Sequence, residues 1–258
     1  MNRADATTGA EPNPPTALRA LLVGCGGLGS PTGRVVFGSG ALKRLTLLDD
    51  DAVDVSNLHR QTLYHDADVG RDKVSVAAES LRREHPESPT ELRAVRARLR
   101  PVEAAELLAD EDLVIEGADN FATKFLAADA ARLRGVPSVH AGAVRWSGWA
   151  FMSAANAADG PCLRCVFEDI PRGRADTCAT AGVMGPVVGV VAALQSALVL
   201  SHAAGDTQAV GTLFHYDALA GKLRRFQARP RPGCPLCAGE ITDLRMERYV
   251  PSPQHDAA

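Results

Sequence analysis

Short aliphatic runs alternate with helical patterns through the first half of the chain. Five runs have the length and apolar character of buried parallel strands: Leu18–Val23, Leu45–Leu48, Leu92–Val95, Leu113–Glu116 and Val136–His140. Segments with helical spacing separate them, and these are Leu28–Gly38, Lys73–Glu84, Pro101–Leu108 and Phe121–Leu133. This alternation predicts an α/β fold with a Rossmann-like, doubly wound and mainly parallel sheet.

The pattern changes after residue 140. Strand-like pieces at Trp149–Ala154, Gly211–Tyr216 and Leu223–Ala228 predict an antiparallel extension of the sheet, joined through an apolar helix at 185–202. The stretch from 183 to 200 approaches the length of a membrane span, but Pro186, Gly189 and Gln195 interrupt it. We therefore expect a buried core helix and no membrane contact.

The two ends of the chain differ from its middle in composition. Residues 1–17 are rich in Pro, Ala, Thr and Gly, and residues 251–258 are similar, so we expect disordered tails at both places. Residues 18–250 are expected to form one domain. In that domain, 18–140 would be a nucleotide-binding half, and 141–250 a half that binds a protein substrate and zinc.

Composition and charge narrow the class of protein. The formal net charge is −3, with both signs interspersed, which argues against a general nucleic-acid binder because such proteins carry a basic face or tail. The first seventeen residues lack the basic start and apolar run of a signal peptide. We expect a cytoplasmic protein.

A glycine-rich loop follows the first predicted strand and precedes the first predicted helix. It contains Gly24, Gly26, Gly27 and Gly29. Glycines allow a tight turn and a close approach of phosphates to the backbone, and a helix N-terminus attracts anions. Asp49 follows twenty residues later at the end of the second strand, where a carboxylate can accept hydrogen bonds from a ribose. At this point an NAD-dependent dehydrogenase, or a loop needed only for its turn, fits as well.

Charged residues beyond the loop favour phosphate chemistry over hydride transfer. Cations at Arg60 and Lys73 suit a triphosphate, because negative charge develops on its α-phosphate during attack. Asp119 and Asn120 end the fourth strand at the edge of the sheet where ligands bind, and Asp119 could hold Mg²⁺. Each has a plainer interpretation: the two cations could be surface charges, and the Asp119–Asn120 pair could cap the following helix.

Four of the six cysteines form two pairs with two-residue spacing. They are Cys162, Cys165, Cys234 and Cys237. Four thiolates in two such knuckles suit tetrahedral zinc in a closed structural site, with redox pairs and disulfides as alternatives. Cys178 follows a polar segment that includes Arg172 and Arg174, which would favour its thiolate; a buried small residue is the other interpretation. Cys25 is given no chemical role.

The same motifs, taken in order, resemble the MoeB/ThiF/HesA family of ubiquitin-activating-like enzymes. The resemblance covers roughly residues 18–238. It rests on the glycine loop through Ser30, Asp49-x-Asp51, the Ser56-Asn57-Leu58-x-Arg60-Gln61 segment, Gly70-x-x-Lys73, Asp119-Asn120, Ala141-Gly142-Ala143, and the cysteine motifs around 162, 178 and 234.

The resemblance implies an activity and a set of roles. Such enzymes use ATP to adenylate the terminal glycine carboxylate of a ubiquitin-like sulfur carrier resembling MoaD or ThiS, releasing pyrophosphate. Sulfur then replaces AMP, giving a thiocarboxylate for molybdopterin or thiamine biosynthesis. Residues implied at the ATP site are Gly27, Asp49, Ser56, Asn57, Arg60 and Lys73, with Asp119 at the metal and catalytic position and Cys178 where a covalent link to the carrier can form.

The family resemblance also implies a homodimer, and here the sequence departs from it. Relatives begin with a helix of the Arg-Tyr-x-Arg-Gln type, whose arginine enters the neighbouring subunit's ATP site. This N-terminus offers Arg3 and Arg19 without such a helix. No rhodanese-like extension follows Cys237, so we expect a separate sulfur donor. A non-catalytic, carrier-binding scaffold is the remaining alternative.

Overall fold

A computed structural model describes residues 17–171 and 178–249 of the chain. The tails predicted at 1–17 and 251–258 lie outside these ranges, except for Ala17. The predicted polar segment with Arg172 and Arg174 also lies outside them. Cys178 begins a short helix whose backbone is described, but its side chain is not among the described groups.

Five parallel strands form the first part of the sheet. In chain order they are β1 (Arg19–Val23), β2 (Arg44–Leu48), β3 (Glu91–Val95), β4 (Leu113–Glu116) and β5 (Ser138–Val144). They lie side by side in the order β3-β2-β1-β4-β5. The helices between them are α1 (Gly29–Gly38), α2 (Lys73–Glu84), α3 (Pro101–Leu107) and α4 (Phe121–Leu133). The predicted doubly wound arrangement is confirmed.

Three antiparallel strands continue the same sheet beyond β5. They are β6 (Ser147–Ser153), β7 (Thr212–Asp217) and β8 (Lys222–Gln227), so that the complete order is β3-β2-β1-β4-β5-β6-β7-β8. Between β6 and β7 the chain forms α5 (Leu163–Phe167), α6 (Cys178–Ala181) and α7 (Gly185–Ala203). Short 3₁₀ turns occur at Val55–Asn57, Asp66–Asp68, Thr207–Ala209 and Met246–Tyr249. The predicted antiparallel extension is confirmed.

Helices cover both faces of the sheet. On one face α1, α2 and α7 contribute Val36, Leu81 and Val191 to a large apolar core. On the other face α3 and α4 contribute Ala104 and Phe125 to a second core. Strands β1, β2 and β4 are therefore buried on both sides, which explains why their sequences are mostly aliphatic, whereas the edge strand β3 is largely exposed.

Helix α7 contains most of the apolar stretch that approaches the length of a membrane span, and the helix is long and apolar enough to cross a membrane by length and composition alone. In the structure half of its apolar window is buried against α1 and the sheet. Gly189 and Gln195 lie inside the helix and do not interrupt it, and Pro186 lies in its first turn. Gln195 is fully buried, and its side-chain amide donates to the backbone oxygen of Glu116 over 2.7 Å. The buried amide nitrogen therefore has a hydrogen-bond partner.

The fifth strand is longer than the pattern predicts. We place it at Val136–His140 from sequence, whereas β5 runs to Val144 because β6 pairs with it along its whole length, from Ser138↔Ser153 to Val144↔Ser147. The two strands form a tight hairpin, and Arg145 takes a positive φ of 52° in its turn. The expected boundary between the two halves of the domain, at residue 140, therefore falls inside β5 and does not interrupt the sheet.

Candidate functional site

A cavity of about 420 Å³ opens at the carboxyl ends of β1, β2 and β4. The strand order reverses direction between β1 and β4, and such switch points are where ligands bind in open α/β sheets. The cavity is lined by most of the predicted site residues: Gly24, Gly26, Gly27, Asp49, Asp51, Asn57, Arg60, Lys73, Asp119 and Asn120. Of the residues predicted for the ATP site, Gly29 and Ser56 do not line the cavity.

The glycine loop is shaped by close packing beneath it. Gly24 has a φ of +87°, and a Cβ there would lie 3.1 Å from the backbone nitrogen of Ala118. At Gly29 a Cβ would lie only 1.8 Å from the backbone oxygen of Gly24. Gly29 therefore allows α1 to start directly against the loop, which is a packing role and not a lining one.

Asp49 ties the loop to the end of β2. One carboxylate oxygen accepts the backbone N–H of Cys25 over 2.7 Å and the other accepts that of Asp51 over 2.9 Å. Burial raises the pKa of Asp49 above its usual value, while Lys73 and the two backbone donors lower it. The carboxylate thus organises the loop itself, and its predicted contact with a ribose stays a prediction.

The two predicted cations stand in the cavity wall with partners from this chain. Lys73 begins α2, and its ammonium donates to Asp51 over 2.7 Å; its side chain is only 6% exposed, so it is not an ordinary surface charge. The Arg60 guanidinium donates to the side-chain oxygen of Asn57 over 2.5 Å. Ser56 points elsewhere, donating its hydroxyl to Asp54 beside the cavity. A phosphate entering this site would meet both cations already positioned.

Asp119 and Asn120 occupy different local roles. Asn120 is the N-cap of α4, and its side-chain oxygen accepts the backbone N–H of Thr123 over 2.8 Å. The capping interpretation is therefore correct for Asn120. Asp119 is exposed at the cavity wall. Among the described residues, the carboxylates that could approach one cation together are those of Asp49, Asp50 and Asp51, and Asp119 is not part of this set.

A buried charged network at the cavity wall, centred on the lining residue Lys124, was missed by sequence reasoning. The Lys124 ammonium donates to Glu116 over 2.6 Å and to the backbone oxygens of Ala141 over 2.6 Å and Ala118 over 3.2 Å. His140 lies against the same carboxylate, with its Nδ1 3.4 Å from Glu116 Oε2. Lys124 thereby joins the end of β4, the loop before Asp119 and β5. The available signal was a glutamate closing an aliphatic strand and a lysine in an apolar helix.

Burial shapes the protonation of this network. Burial alone would raise the pKa of Glu116, but the nearby Lys124 and His140 outweigh it and lower that pKa. Burial lowers the pKa of His140, against the opposing effect of Glu116. The network therefore holds an ionised Glu116–Lys124 pair beside a neutral imidazole.

Two further cavity residues carry polar groups that sequence reasoning did not assign. Gln61 is 3% exposed, and its side-chain oxygen has no hydrogen-bond partner in the described part of the chain. Arg98, in the loop after β3, reaches the cavity from the side of β2. On the opposite wall Trp149 packs across Gly142, where a Cβ would lie 2.8 Å from the indole nitrogen. The indole therefore covers Gly142 at the cavity wall.

The two cysteine pairs, which are far apart in sequence, lie together in one cluster. The sulfur of Cys162 lies 3.7 Å from that of Cys165, 3.6 Å from that of Cys234 and 3.5 Å from that of Cys237, and the Cys165 and Cys237 sulfurs are 3.5 Å apart. Zinc with bonds of about 2.3 Å to four sulfurs needs sulfur–sulfur separations of roughly 3.8 Å. The arrangement fits a tetrahedral metal ion.

Comparison with known proteins gives the chain a family. The ThiF family profile matches residues 16–236. The chain is 41% identical over 232 residues to adenylyltransferase and sulfurtransferase MOCS3 of Sus scrofa, covering 89% of this chain but only 50% of that protein. It is 35% identical over 237 residues to the SAMP-activating enzyme E1 of Haloferax volcanii, covering 91% of this chain and 86% of that one.

Other similarities extend to a bacterial relative and to solved structures. The chain is 37% identical over 234 residues to the sulfur carrier protein adenylyltransferase of Thermus thermophilus, covering 89% and 85% of the two proteins. The crystal structure of E. coli MccB with MccA-N7isoASN superposes with a TM-score of 0.73 at 19% identity, covering 85% of this chain and 66% of that one. At that identity the structural match supports the fold alone. By the extent of the profile match and the identity to nearly full-length relatives, the chain belongs to the ThiF family.

Proposed function

We propose that this protein uses ATP to adenylate the C-terminal glycine carboxylate of a ubiquitin-like sulfur-carrier protein. The observation that carries the proposal is one cavity, at the switch point of the sheet, that gathers the glycine loop, Arg60, Lys73 and Asp119. Two of these relatives are named as adenylyltransferases and one as a SAMP-activating enzyme, which supports the same reaction. The chain spans about half the length of MOCS3, so the sulfurtransferase part of that name is not carried over.

The chemistry joins two anions. A carboxylate oxygen of the carrier attacks the α-phosphorus of ATP, the bond from that phosphorus to its bridging oxygen breaks, and pyrophosphate leaves. Arg60 and Lys73 offset the repulsion between the reactants and the charge that builds on the phosphate. The glycine loop, at the start of α1, would hold phosphates with Gly24, Gly26 and Gly27.

The other predicted site residues take proposed roles around this reaction. Asp49 would contact the ribose, and Asn57 and Asn120 would contact the nucleotide. Asp119 would hold Mg²⁺. Magnesium supplies charge neutralisation on the phosphates when it is bound. Cys178 would accept the carrier covalently in the later sulfur chemistry, a role that adenylation does not require.

The zinc site, the partners and the organisation of the chain belong to the same proposal. Zinc at the four-cysteine cluster would be structural, because all four positions are protein thiolates. A separate protein would donate sulfur, and a homodimer in the cytoplasm is the expected state. Residues 18–140 would bind the nucleotide, and residues 141–250 would bind the carrier and zinc. The pathway, molybdopterin or thiamine, would follow from which carrier is accepted.

Pyrophosphate exchange into ATP tests the reaction directly. The protein is incubated with ATP, labelled pyrophosphate and candidate carriers that end in Gly-Gly, with the same carriers lacking the final glycine as controls. We expect exchange only with an intact carrier, its loss in Arg60→Ala and Asp119→Ala, and its retention in Cys178→Ala. Loss of exchange in Cys178→Ala would show that the proposed division between adenylation and sulfur transfer is wrong.

Two alternative functions predict different experimental results. A carrier-binding scaffold would bind a cognate carrier without any exchange. A nicotinamide-dependent dehydrogenase would be protected against thermal unfolding by NAD(H) and not by ATP. Stabilisation by NAD(H) alone would overturn the proposal in favour of the dehydrogenase.

A further inference from the structure

Helix α4 ends against the cysteine cluster, and one of its side chains bonds to a cluster sulfur. Arg132 lies in the last turn of the helix and is only 8% exposed. Its guanidinium donates to the sulfur of Cys237 over 3.1 Å, to the backbone oxygen of Ala154 over 2.9 Å and to that of Gly160 over 3.3 Å. In the described residues no other side chain outside the four cysteines donates a hydrogen bond to a cluster sulfur.

Among the described residues, Arg132 has no carboxylate partner. Within residues 17–171 and 178–249, no aspartate or glutamate oxygen lies within 4.0 Å of its guanidinium. The other arginine buried near the cluster, Arg164, is paired with Asp129 through two bonds of 2.9 Å. A buried and unpaired cation is costly, so the counter-charge for Arg132 has to come from groups that it already touches.

The cysteine cluster can provide that counter-charge. Four thiolates around one divalent ion carry a net charge of −2, and the buried apolar side chains that pack with the cysteines are Leu236 and Ile241. Hydrogen bonds from outside the ligand set commonly control how tightly a metal is held. A charge-assisted N–H···S bond both orients the ligand and stabilises it as thiolate.

We propose that Arg132 is a positioning residue for the metal: it holds Cys237 in the cluster and offsets the excess negative charge, so that the ion is released slowly. This inference rests on the proposed zinc site. It also gives α4 a second function in the molecule, since the helix begins at the Asn120 cap beside the cavity and ends at the metal.

Metal release and cobalt spectroscopy test the inference with three variants of the full-length protein. Arg132→Gln removes the charge and keeps an amide donor, Arg132→Lys keeps the charge, and Arg134→Gln is the control, because Arg134 is exposed two residues later and bonds only to the backbone oxygen of Ala109. Zinc transfer to a chromophoric chelator gives the release rate. The cobalt-substituted proteins report the sulfur-to-metal charge-transfer band.

We expect Arg132→Gln to release zinc roughly tenfold faster or more, with a shifted charge-transfer band. Arg132→Lys should stay within about threefold of the original rate, and Arg134→Gln should match it. Release from Arg132→Gln within about twofold of the original, with a superimposable cobalt spectrum, would overturn the inference.

The same measurements separate this inference from the zinc proposal. Failure of the unsubstituted protein to bind one zinc or cobalt per chain would refute the zinc site itself, before any variant is compared. Circular dichroism establishes that each variant is folded. Should Arg132→Gln not fold, the lysine variant carries the test, and release tenfold faster from it than from the original would contradict a role for the charge.

Discussion

At the scale of single residues, the fully buried pair of Glu116 and His140 makes stability depend on pH. Burial lowers the pKa of His140 in the folded protein below its ordinary value of 6.5. As the pH falls below about 6.5, the unfolded chain therefore takes up a proton that the folded chain excludes. The stability contributed by the neutral imidazole is complete above that pH, and it is lost as the pH falls toward the folded-state pKa.

Replacing His140 by glutamine should flatten this dependence. Between about pH 7.5 and pH 5.5 the original protein is expected to lose up to about 1.4 kcal/mol of unfolding free energy through this one group, and His140→Gln should lose that much less. Urea unfolding at the two pH values measures the difference. His65→Gln replaces an exposed histidine, and its free energy of unfolding should decrease between the two pH values as much as that of the original protein. An equal decrease for His140→Gln and the original would refute the assignment of the pH dependence to His140.

The sequence predicted the functional residues that belong to motifs with characteristic spacing, and it missed those whose partners lie on other elements of the fold. Glycine spacing and cysteine spacing are visible in one dimension, and the structure brings most of those residues into two clusters. Lys124 was missed because its partners, Glu116 and the backbone of Ala141, are eight and seventeen residues away and meet it only across strands. A buried ion pair between separate elements leaves no periodic signal.

At the scale of elements, the packing of α1 on β1 depends on Gly29. A methyl group there would lie 1.8 Å from the backbone oxygen of Gly24, so the helix would have to move away from the loop. At Gly26, three residues earlier, the nearest atom to an added Cβ is Gln61 Nε2 at 3.5 Å, which is ordinary contact. The two glycines of one motif therefore have separable roles.

Alanine substitutions should reveal that separation in the nucleotide-free protein. Gly29→Ala is expected to lower the free energy of unfolding by about 3 kcal/mol or more, as overpacking against backbone does. Gly26→Ala should change it by less than about 1 kcal/mol. Urea denaturation provides both values, and similar losses for the two variants would show that the loop tolerates the methyl group at Gly29 by shifting.

The elements themselves were largely predictable from sequence, for a physical reason. Parallel strands buried on both faces must be short aliphatic runs, so β1, β2 and β4 were found within one residue at each end. The edge strand β3 was found as closely, although most of its residues are exposed. The predicted end of β5 was wrong because the last residues of this strand pair with β6 at the cavity, where small residues such as Gly142 replace aliphatic ones. The hydrophobic pattern reports burial, whereas this strand end is set by its partner.

At the scale of the whole molecule, two large cores flank the sheet and a third, much smaller one surrounds the cysteines. The small core contains only Leu236 and Ile241 besides the cysteines among its described apolar members. That is little apolar area to hold the segment around 234 in place without a cross-link, because no residue of 229–241 belongs to the two large cores. The proposed metal would supply that cross-link, and it joins positions that are 72 residues apart in the chain.

Removing the metal should therefore loosen one region and leave the rest folded. After treatment with a strong zinc chelator, backbone amides in 229–241 are expected to exchange with deuterium much faster, while β1, β2 and β4 keep their protection, because no residue of 229–241 belongs to the two large cores. Hydrogen exchange with mass spectrometry, before and after chelation and after zinc is restored, measures this. Recovery on adding zinc back controls for irreversible damage, whereas faster exchange of the central strands by the same factor would mean that the metal stabilises the whole fold. Preserved strands with a loosened cysteine region would instead place the metal's influence at the far end of α4, where Arg132 meets Cys237.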